Sequence, residues 1–521
     1  MKIVTPQQMR DIEDRSEELG VSKDTLMENA GQSIAKYLLN TTKNLVGTRV
    51  VLLVGQGNNG GDGIVAATRL DQLGAKVEVY LCAAVPKYQA MTDLLQQRGV
   101  QVSRIQEDCD LSQLREALEL AEVVVDAVLG TGLSRAIKDP LSSILFCLQE
   151  ERKRRPEVRL LAVDTPTGLD PATGLVDPAC VAADATLTLG NPKSGLYRFP
   201  GAEFTGKVEV MDIGLPSGLD DDIRIDLITP NDARDVLPPR PLGGHKGTFG
   251  RTLVVAGSRH YVGAAYLAAT AAGRSGAGLV TVATPSSVQM VLASKAVEPT
   301  FLPLTESTFG GLAPEAANEV IKVASDYESL LIGCGLGREP ATEDFLRRLL
   351  LEKVGLPPMV VDADALNFLA STQSWEDHFS ELAILTPHLG EMARLTSLSV
   401  SEISDNRIEV AQEYAHKWNK LVVLKGAFTV VGFPSGEVRQ SPFANPAMAT
   451  AGTGDVLGGV LSGLLAQEIS LNNAATLGVY LHGLAGERVR DKLGDAGMLA
   501  GDLLPEIPRA VKSLKHMQTP S

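Results

Sequence analysis

The segment Asn-Pro-Ala-Met-Ala-Thr-Ala-Gly-Thr-Gly-Asp-Val-Leu-Gly-Gly at 445–459 places a small-residue loop, Gly452-Thr453-Gly454-Asp455, before an apolar helix expected over 456–465. Glycines let consecutive backbone N–H groups converge on one point, and a helix N-terminus adds about half a positive charge there. Together they make an anion hole suited to a phosphoryl group in transfer. An Asp at the edge of such a hole repels phosphate, so its use is as a base that takes a proton from an attacking hydroxyl. Alone, Gly-x-Gly-Asp reads more simply as a turn capped by Asp; its companions in the chain reverse that reading.

Those companions stand where apolar runs end. Gly244-His245-Lys246-Gly247-Thr248-Phe249-Gly250 leads into one run, and Gly333-Cys334-Gly335-Leu336-Gly337 offers amides that could face phosphates. Asp362-Ala363-Asp364-Ala365-Leu366-Asn367, Thr386-Pro387-His388-Leu389-Gly390-Glu391 and Lys425-Gly426 follow three further runs. Singly, these are a loop histidine, a solvated lysine and helix-capping aspartates. Jointly they provide the turns, base and cation of a phosphate site. The sequence contains no G-x-x-x-x-G-K-[ST], so this is not a P-loop enzyme.

In the first half, Gly55-Gln56-Gly57-Asn58-Asn59-Gly60-Gly61-Asp62-Gly63 follows an apolar run and contains G-x-G-x-x-G. The dinucleotide fingerprint also wants an acid closing the second strand, but that strand ends Tyr80-Leu81-Cys82-Ala83-Ala84. A hydride-transfer site of ordinary type is therefore not expected. Two amides and a carboxylate beside a glycine turn suit sugar hydroxyls, phosphate or a cation. Asp126 before Gly130-Thr131-Gly132, and Asp164 before Pro166-Thr167-Gly168, repeat the pattern. In open parallel sheets ligands sit beyond the carboxyl ends of strands, so the three ends form one shared site. Asn, Asp and Thr oxygens suit a hard cation rather than a transition metal.

These motifs need a scaffold of alternating strands and helices. Two helices are expected over 5–40, broken near Gly20. Strands follow at 50–54, 76–81, 123–126, 160–164, 185–189 and 207–213, several of them continuous β-branched runs of the kind buried on both faces of a parallel sheet. The alternation restarts with strands at 252–256, 279–283, 330–332, 359–361, 383–385, 421–424 and 429–432, with a small-residue helix over 264–273. The expected fold is α/β throughout: two three-layer α/β/α domains, 1–225 and 226–521, with residues from about 512 loose. At 521 residues the chain exceeds one core. A net charge of −15 and 4% aromatic content argue against a nucleic-acid partner. Five scattered cysteines with no Cys-x-x-Cys argue against a disulfide framework or zinc. Without a signal-type apolar start or a membrane-length run, a cytoplasmic protein with no membrane partner is expected.

On these motifs the first half resembles the YjeF N-terminal domain, an NAD(P)H-hydrate epimerase of Rossmann-like fold. The second half is similar to the ADP- or ATP-dependent NAD(P)H-hydrate dehydratases of ribokinase-like fold, and the order resembles the bacterial bifunctional repair enzymes. The resemblance implies a multifunctional isomerase and lyase that interconverts R and S hydrates of NADH and NADPH. It would dehydrate the S form at the expense of ADP, giving AMP and phosphate. It implies epimerase ligand contacts at Asn58, Asn59, Gly60, Gly61, Asp62, Gly130, Thr131, Gly132, Leu133, Ser134, Arg135 and Ala136, with Asp164 as acid/base group. It implies potassium on Asn59, Asp126 and Thr167. In the dehydratase it implies hydrate contacts at Ala264, Gly337, His388 and Asp455, with Asp455 as base. The nucleotide would lie on Lys425, Gly426, Ala427, Phe428, Thr429 and Gly454, carrying Mg²⁺. A homo-oligomer is expected. Two alternatives stay open: a hydroxymethylpyrimidine-type kinase for the second half, and a catalytically silent binding module for the first.

Overall fold

Along β1, Arg49–Val54, the residues Val50, Leu52 and Val54 join one apolar cluster while Val51 and Leu53 join another. A strand buried on both faces needs cover on both, and helices supply it. The computed structural model describes residues 1–130, 136–379 and 382–517. The chain divides into two compact units, Lys2–Ile223 and Arg224 onward, with Met1 grouping with the second. No described helix is long and apolar enough to cross a membrane.

Among the described residues the first unit builds a seven-stranded sheet from β1 with β2 (Lys76–Leu81), β3 (Gln101–Arg104), β4 (Val123–Ala127), β5 (Arg159–Val163), β6 (Ala185–Leu189) and β7 (Lys207–Met211). The order is 3-2-1-4-5-6-7 and every pairing is parallel. The order reverses between β1 and β4, which opens a crevice beyond their carboxyl ends, the Rossmann-like arrangement. Helix Pro6–Glu18 starts on a Thr5 capping box and buries Met9 and Ile12 in one core.

The second unit builds a ten-stranded sheet from β8 (Ile225–Leu227), β9 (Arg251–Val255), β10 (Leu279–Pro285), β11 (Thr300–Leu304), β12 (Ser329–Ile332), β13 (Met359–Val361), β14 (Ala383–Leu385), β15 (Leu421–Leu424), β16 (Val430–Gly432) and β17 (Val438–Gln440). Their order is 11-10-9-12-13-14-15-16-17-8, parallel from β11 to β15, with β16 antiparallel to both neighbours. Val254, Leu331, Val360 and Ile384 face helices Val262–Ser275, Thr453–Leu465, Leu471–Leu493 and Ala500–His516 on one side. Leu253, Val255, Leu330, Ile332 and Val361 face the other core. Helix Thr453–Leu465 lies directly on Val262–Ser275: a Cβ on Gly459 would sit 2.1 Å from the Ala268 carbonyl oxygen.

Three expectations need correcting. Strands β3, β8, β11 and β17 were not expected; β3 and β8 are sheet edges with polar alternation, β11 carries Pro303, and β17 is three residues long. Helix Thr453–Leu465 begins three residues earlier than expected, so Gly454 and Asp455 lie inside its first turn. Residues 512–516 are not loose: helix Ala500–His516 runs through them, with Leu514 fully buried.

Candidate functional sites

In the first unit the strand ends gather around Leu129 and Gly130. A Cβ on Gly130 would lie 3.3 Å from Asn59 Cγ and 3.3 Å from Asp164 Oδ2, so that backbone runs between the two side chains. The Thr167 hydroxyl donates to Asp126 Oδ1 at 2.6 Å and accepts from the Leu129 amide at 3.0 Å. The Thr167 and Val128 amides complete the hold on Asp126, at 2.8 and 3.2 Å. Burial raises the Asp126 carboxyl above its ordinary range, opposed by these bonds. No basic side chain pairs with it among the described residues. Asn59 is buried, and neither its Oδ1 nor its Nδ2 has a partner. Such orphaned atoms are costly unless something binds them.

Asp164 follows β5 in the left-handed region, at φ 63°. Its amide donates to the Leu187 carbonyl at 2.8 Å, and its Oδ1 accepts from the Leu189 amide at 3.1 Å and from the Lys193 ammonium. Lys193, 1% exposed, also donates to the Leu189 carbonyl at 2.8 Å. Asp62 lies nearby in the first turns of helix Asn58–Gln72. Burial, then the charges of Asp164 and Glu13, push its carboxyl well above the ordinary range. Burial likewise raises Glu13, opposed by Lys193. The cluster thus places Asp164, bonded to the buried Lys193 ammonium, beside two carboxyls that burial shifts upward.

Of the remaining sequence-expected contacts, Asn58 accepts from Lys87 at 3.2 Å. Gly60 packs on the turn, where a Cβ would lie 2.0 Å from the Gly55 carbonyl oxygen; at Gly61 it would meet Met27. Ala136 is exposed. Thr131, Gly132, Leu133, Ser134 and Arg135 lie outside the described residues. Sequence reasoning missed Lys193 because the β6 end, Gly190-Asn191-Pro192-Lys193, carries no acid; the Asn-Pro-Lys punctuation was the available signal.

In the second unit Asp455 is the third residue of helix Thr453–Leu465, behind Gly452 at φ 93°, which offers the first-turn amides no side-chain cap. Cys334, Asp362 and Asp455 each place a ligand-type atom within 4.8 Å of the others. Burial, then the charge of Asp362, raises Asp455 to about 6. Asp362, 1% exposed, is bound by Lys425 Nζ at 2.6 Å, and Glu391 lies 3.7 Å from the same ammonium. Burial pulls Lys425 down, but Asp362 and Glu391 outweigh it and keep the ammonium above its usual range. Burial pushes Glu391 up to about 7; the charge of Lys425 opposes the rise and that of Asp362 adds to it. A Cβ on Gly454 would lie 3.3 Å from Lys425 Nζ and 3.9 Å from Asp362 Oδ2. Lys425 thus reaches the site already paired with Asp362, with Glu391 close by.

His388 caps helix Leu389–Thr396, its Nδ1 accepting from the Gly390 and Glu391 amides at 2.9 and 3.2 Å. That assigns the neutral ring proton to Nε2, 3.4 Å from Glu391 Oε1. Three amides of the turn at 333–337 are engaged within the protein. Gly337 N donates to Asp364 Oδ2 at 2.8 Å, and the Gly333 and Leu336 amides are used within the fold. Ala264 abuts this turn: a Cβ on Gly335 would meet its Cβ at 2.8 Å. Gly337 and Asp364 line two adjoining clefts, of about 450 and 300 Å³. Residues 426–429 form the turn between β15 and β16, where Phe428 N donates to the Phe443 carbonyl at 2.8 Å and Thr429 Oγ1 to the Gly426 carbonyl at 2.9 Å. His482 was also missed. Its Nε2 stands 2.9 Å from the Thr453 carbonyl, and burial lowers it to about 4, so it is a neutral donor steadying the helix start.

Comparison with known families matches residues 252–509 to the NAD(P)H-hydrate dehydratase model and residues 23–195 to the YjeF-related protein N-terminus. A bifunctional NAD(P)H-hydrate repair enzyme Nnr of Moorella thermoacetica is 39% identical over 528 residues, spanning 99% of this chain and 98% of the relative. The chain belongs to the bifunctional NAD(P)H-hydrate repair enzyme family. A second relative of the same name, from Thermofilum pendens, is 36% identical and covers 96% of this chain and 94% of its own. A solved ADP/ATP-dependent NAD(P)H-hydrate dehydratase of Bacillus subtilis, co-crystallized with ATP/Mg²⁺, is 32% identical over 56% of this chain and 98% of that one, at a TM-score of 0.48. In this family assignment the Asp455 cluster lies within the dehydratase match, and Asp62, Asp126, Asp164 and Lys193 within the YjeF match.

Proposed function

We propose that the first unit interconverts the R and S hydrates of NADH and NADPH, and that the second dehydrates the S form at the expense of ADP, releasing AMP and phosphate. The observation that carries this reading is Asp455, a carboxyl raised to about 6 in the first turn of a helix whose leading amides have no side-chain cap. Hydroxide is a poor leaving group from C6 of the hydrate. Asp455 takes the hydroxyl proton as that oxygen attacks the terminal phosphoryl of the nucleotide. The first-turn amides steady the charge that develops. The ring nitrogen lone pair then expels phosphate, and loss of a proton from C5 of the resulting iminium restores the dihydronicotinamide.

The hydrate would contact Ala264, Gly337, His388 and Asp455, and the nucleotide would lie along Lys425–Thr429 and Gly454. Mg²⁺ would arrive with the nucleotide and screen its phosphates, since Asp362 is already engaged by Lys425. In the first unit Asp164 is the acid/base group, facing a ligand laid along Asn58–Asp62 and Gly130–Ala136. Potassium suits Asn59, Asp126 and Thr167: Asn59 Oδ1 lacks any partner, and one carboxylate among neutral oxygens is a weak field that would not strip Mg²⁺ of its waters. Bound there, the ion would polarise a substrate oxygen and hold the strand ends in register. A net charge of −15 favours small diffusible partners over nucleic acid, in a cytoplasmic homo-oligomer. Incubation with NADH hydrate and either ADP or ATP tests the reading. Stoichiometric AMP and phosphate from ADP are expected, and loss of hydrate without nucleotide consumption would overturn it. Epimerisation in potassium, sodium and magnesium chloride after dialysis tests the ion, and equal rates in all three would refute potassium.

A further inference from the structure

With Lys425 committed to two carboxylates, the nucleotide turn needs its positive charge from elsewhere. Arg407, the first residue of helix Arg407–Trp418, lies against that turn: a Cβ on Gly426 would sit 2.6 Å from its Nη1 and 3.0 Å from its Nη2. Nη2 donates to the Leu424 carbonyl at 3.0 Å. Nε is buried without a partner. Among the described residues no carboxylate forms an ion pair with this guanidinium. Burial with nothing to offset it lowers the group to about 10. A largely buried cation without a counter-charge is costly, and a bound anion removes the cost. The absence of a side chain at Gly426 is what lets the guanidinium reach the turn.

We infer that Arg407 is a nucleotide-binding residue, its fork taking a phosphate of the adenine nucleotide held on the turn at 425–429. The inference rests on the nucleotide reading proposed above for that turn. It divides the labour of two cations. Lys425 holds Asp362 and Glu391 in place beside Asp455, while Arg407 meets the ligand's charge. Planar, bidentate recognition of phosphate is what a guanidinium does better than an ammonium.

The test is calorimetric binding of ADP, AMP and adenosine, with Mg²⁺, to the full-length protein and to Arg407→Gln and Arg407→Lys. Arg407→Gln is expected to weaken ADP and AMP by roughly 10- to 100-fold while adenosine changes less than about twofold. Arg407→Lys keeps the charge but loses the fork, so its loss should be smaller and again confined to the phosphorylated ligands. Equal weakening of all three ligands would make Arg407 a structural clamp on Leu424 and overturn the inference, as would unchanged affinity. If Arg407→Gln does not fold, the same comparison on Arg407→Lys decides. Failure of the unaltered protein to bind any of the three would instead overturn the nucleotide reading itself.

Discussion

On the proposed reading two carboxylates carry the chemistry, and each stands near a buried lysine reached from elsewhere in the chain: Asp164 is bonded to Lys193, and Asp455 lies beside the Lys425–Asp362 pair. Asp455 must be ionised to accept a proton, and its carboxyl lies near 6. Dehydration should therefore fall as pH drops through about 6 and level off above it. Asp455→Asn should lower turnover roughly 10²–10⁴-fold with ADP affinity retained. A variant turning over at near-normal rate, or a pH profile flat from 5 to 7, would remove the base assignment. In the first unit Lys193, 1% exposed, is the cation on Asp164. Lys193→Gln leaves a carboxylate buried and unpaired, a change that costs roughly 3–5 kcal/mol where the charge cannot reach water. Epimerisation should collapse while dehydration of pure S hydrate by the same protein persists. Thermal unfolding and the two rates, measured on one sample, check this. Loss of both activities together would mean that the damage is not local.

Elements explain why much of this was legible and some was not. Runs such as Val50-Val51-Leu52-Leu53-Val54 announce a strand buried on both faces, and the Gly-rich turns after them announce the site. What the chain order hides is pairing across it. Lys193 and Asp164, Lys425 and Asp362, or His482 and Thr453 meet only once the sheet has brought their strands and helices together. Edge strands such as Gln101–Arg104 hide too, because one flank meets water and tolerates polar residues. Helix Thr453–Leu465 shows how packing reaches the chemistry. Gly459 lies against the Ala268 carbonyl, with 2.1 Å left for a Cβ. Gly459→Ala would return about 1 kcal/mol of helix propensity. The clash is with backbone, which cannot swing aside, and overpacking of this kind costs about 1–3 kcal/mol. The helix should shift off Val262–Ser275 and carry Asp455 with it. Dehydration should fall several-fold and unfolding of that unit move to lower temperature, with epimerisation unchanged. An unaltered dehydration rate would show that the helix start is positioned by other contacts, His482 among them.

At the scale of the molecule, each unit owns a sheet and a pair of cores, so each activity should survive separation. The place of the cut decides the outcome. β8, Ile225–Leu227, pairs with β17 at the edge of the second sheet, with Ile225 opposite Val438 and Leu227 opposite Gln440. A fragment starting at Arg224 keeps that strand. One starting at residue 228 strips it and leaves the β17 edge open, a template for pairing between copies. Residues 2–223 should epimerise hydrate without nucleotide. Residues 224–521 should consume ADP on the S hydrate alone, leaving the R form untouched until the first fragment is added. The fragment from 228 should dehydrate comparably when dilute but aggregate at concentrations where the longer one stays dispersed, as light scattering would report. If the fragment from 224 is itself inactive while the full chain works, the second unit needs the first to fold, and the two activities belong to one cooperative structure rather than to two joined ones.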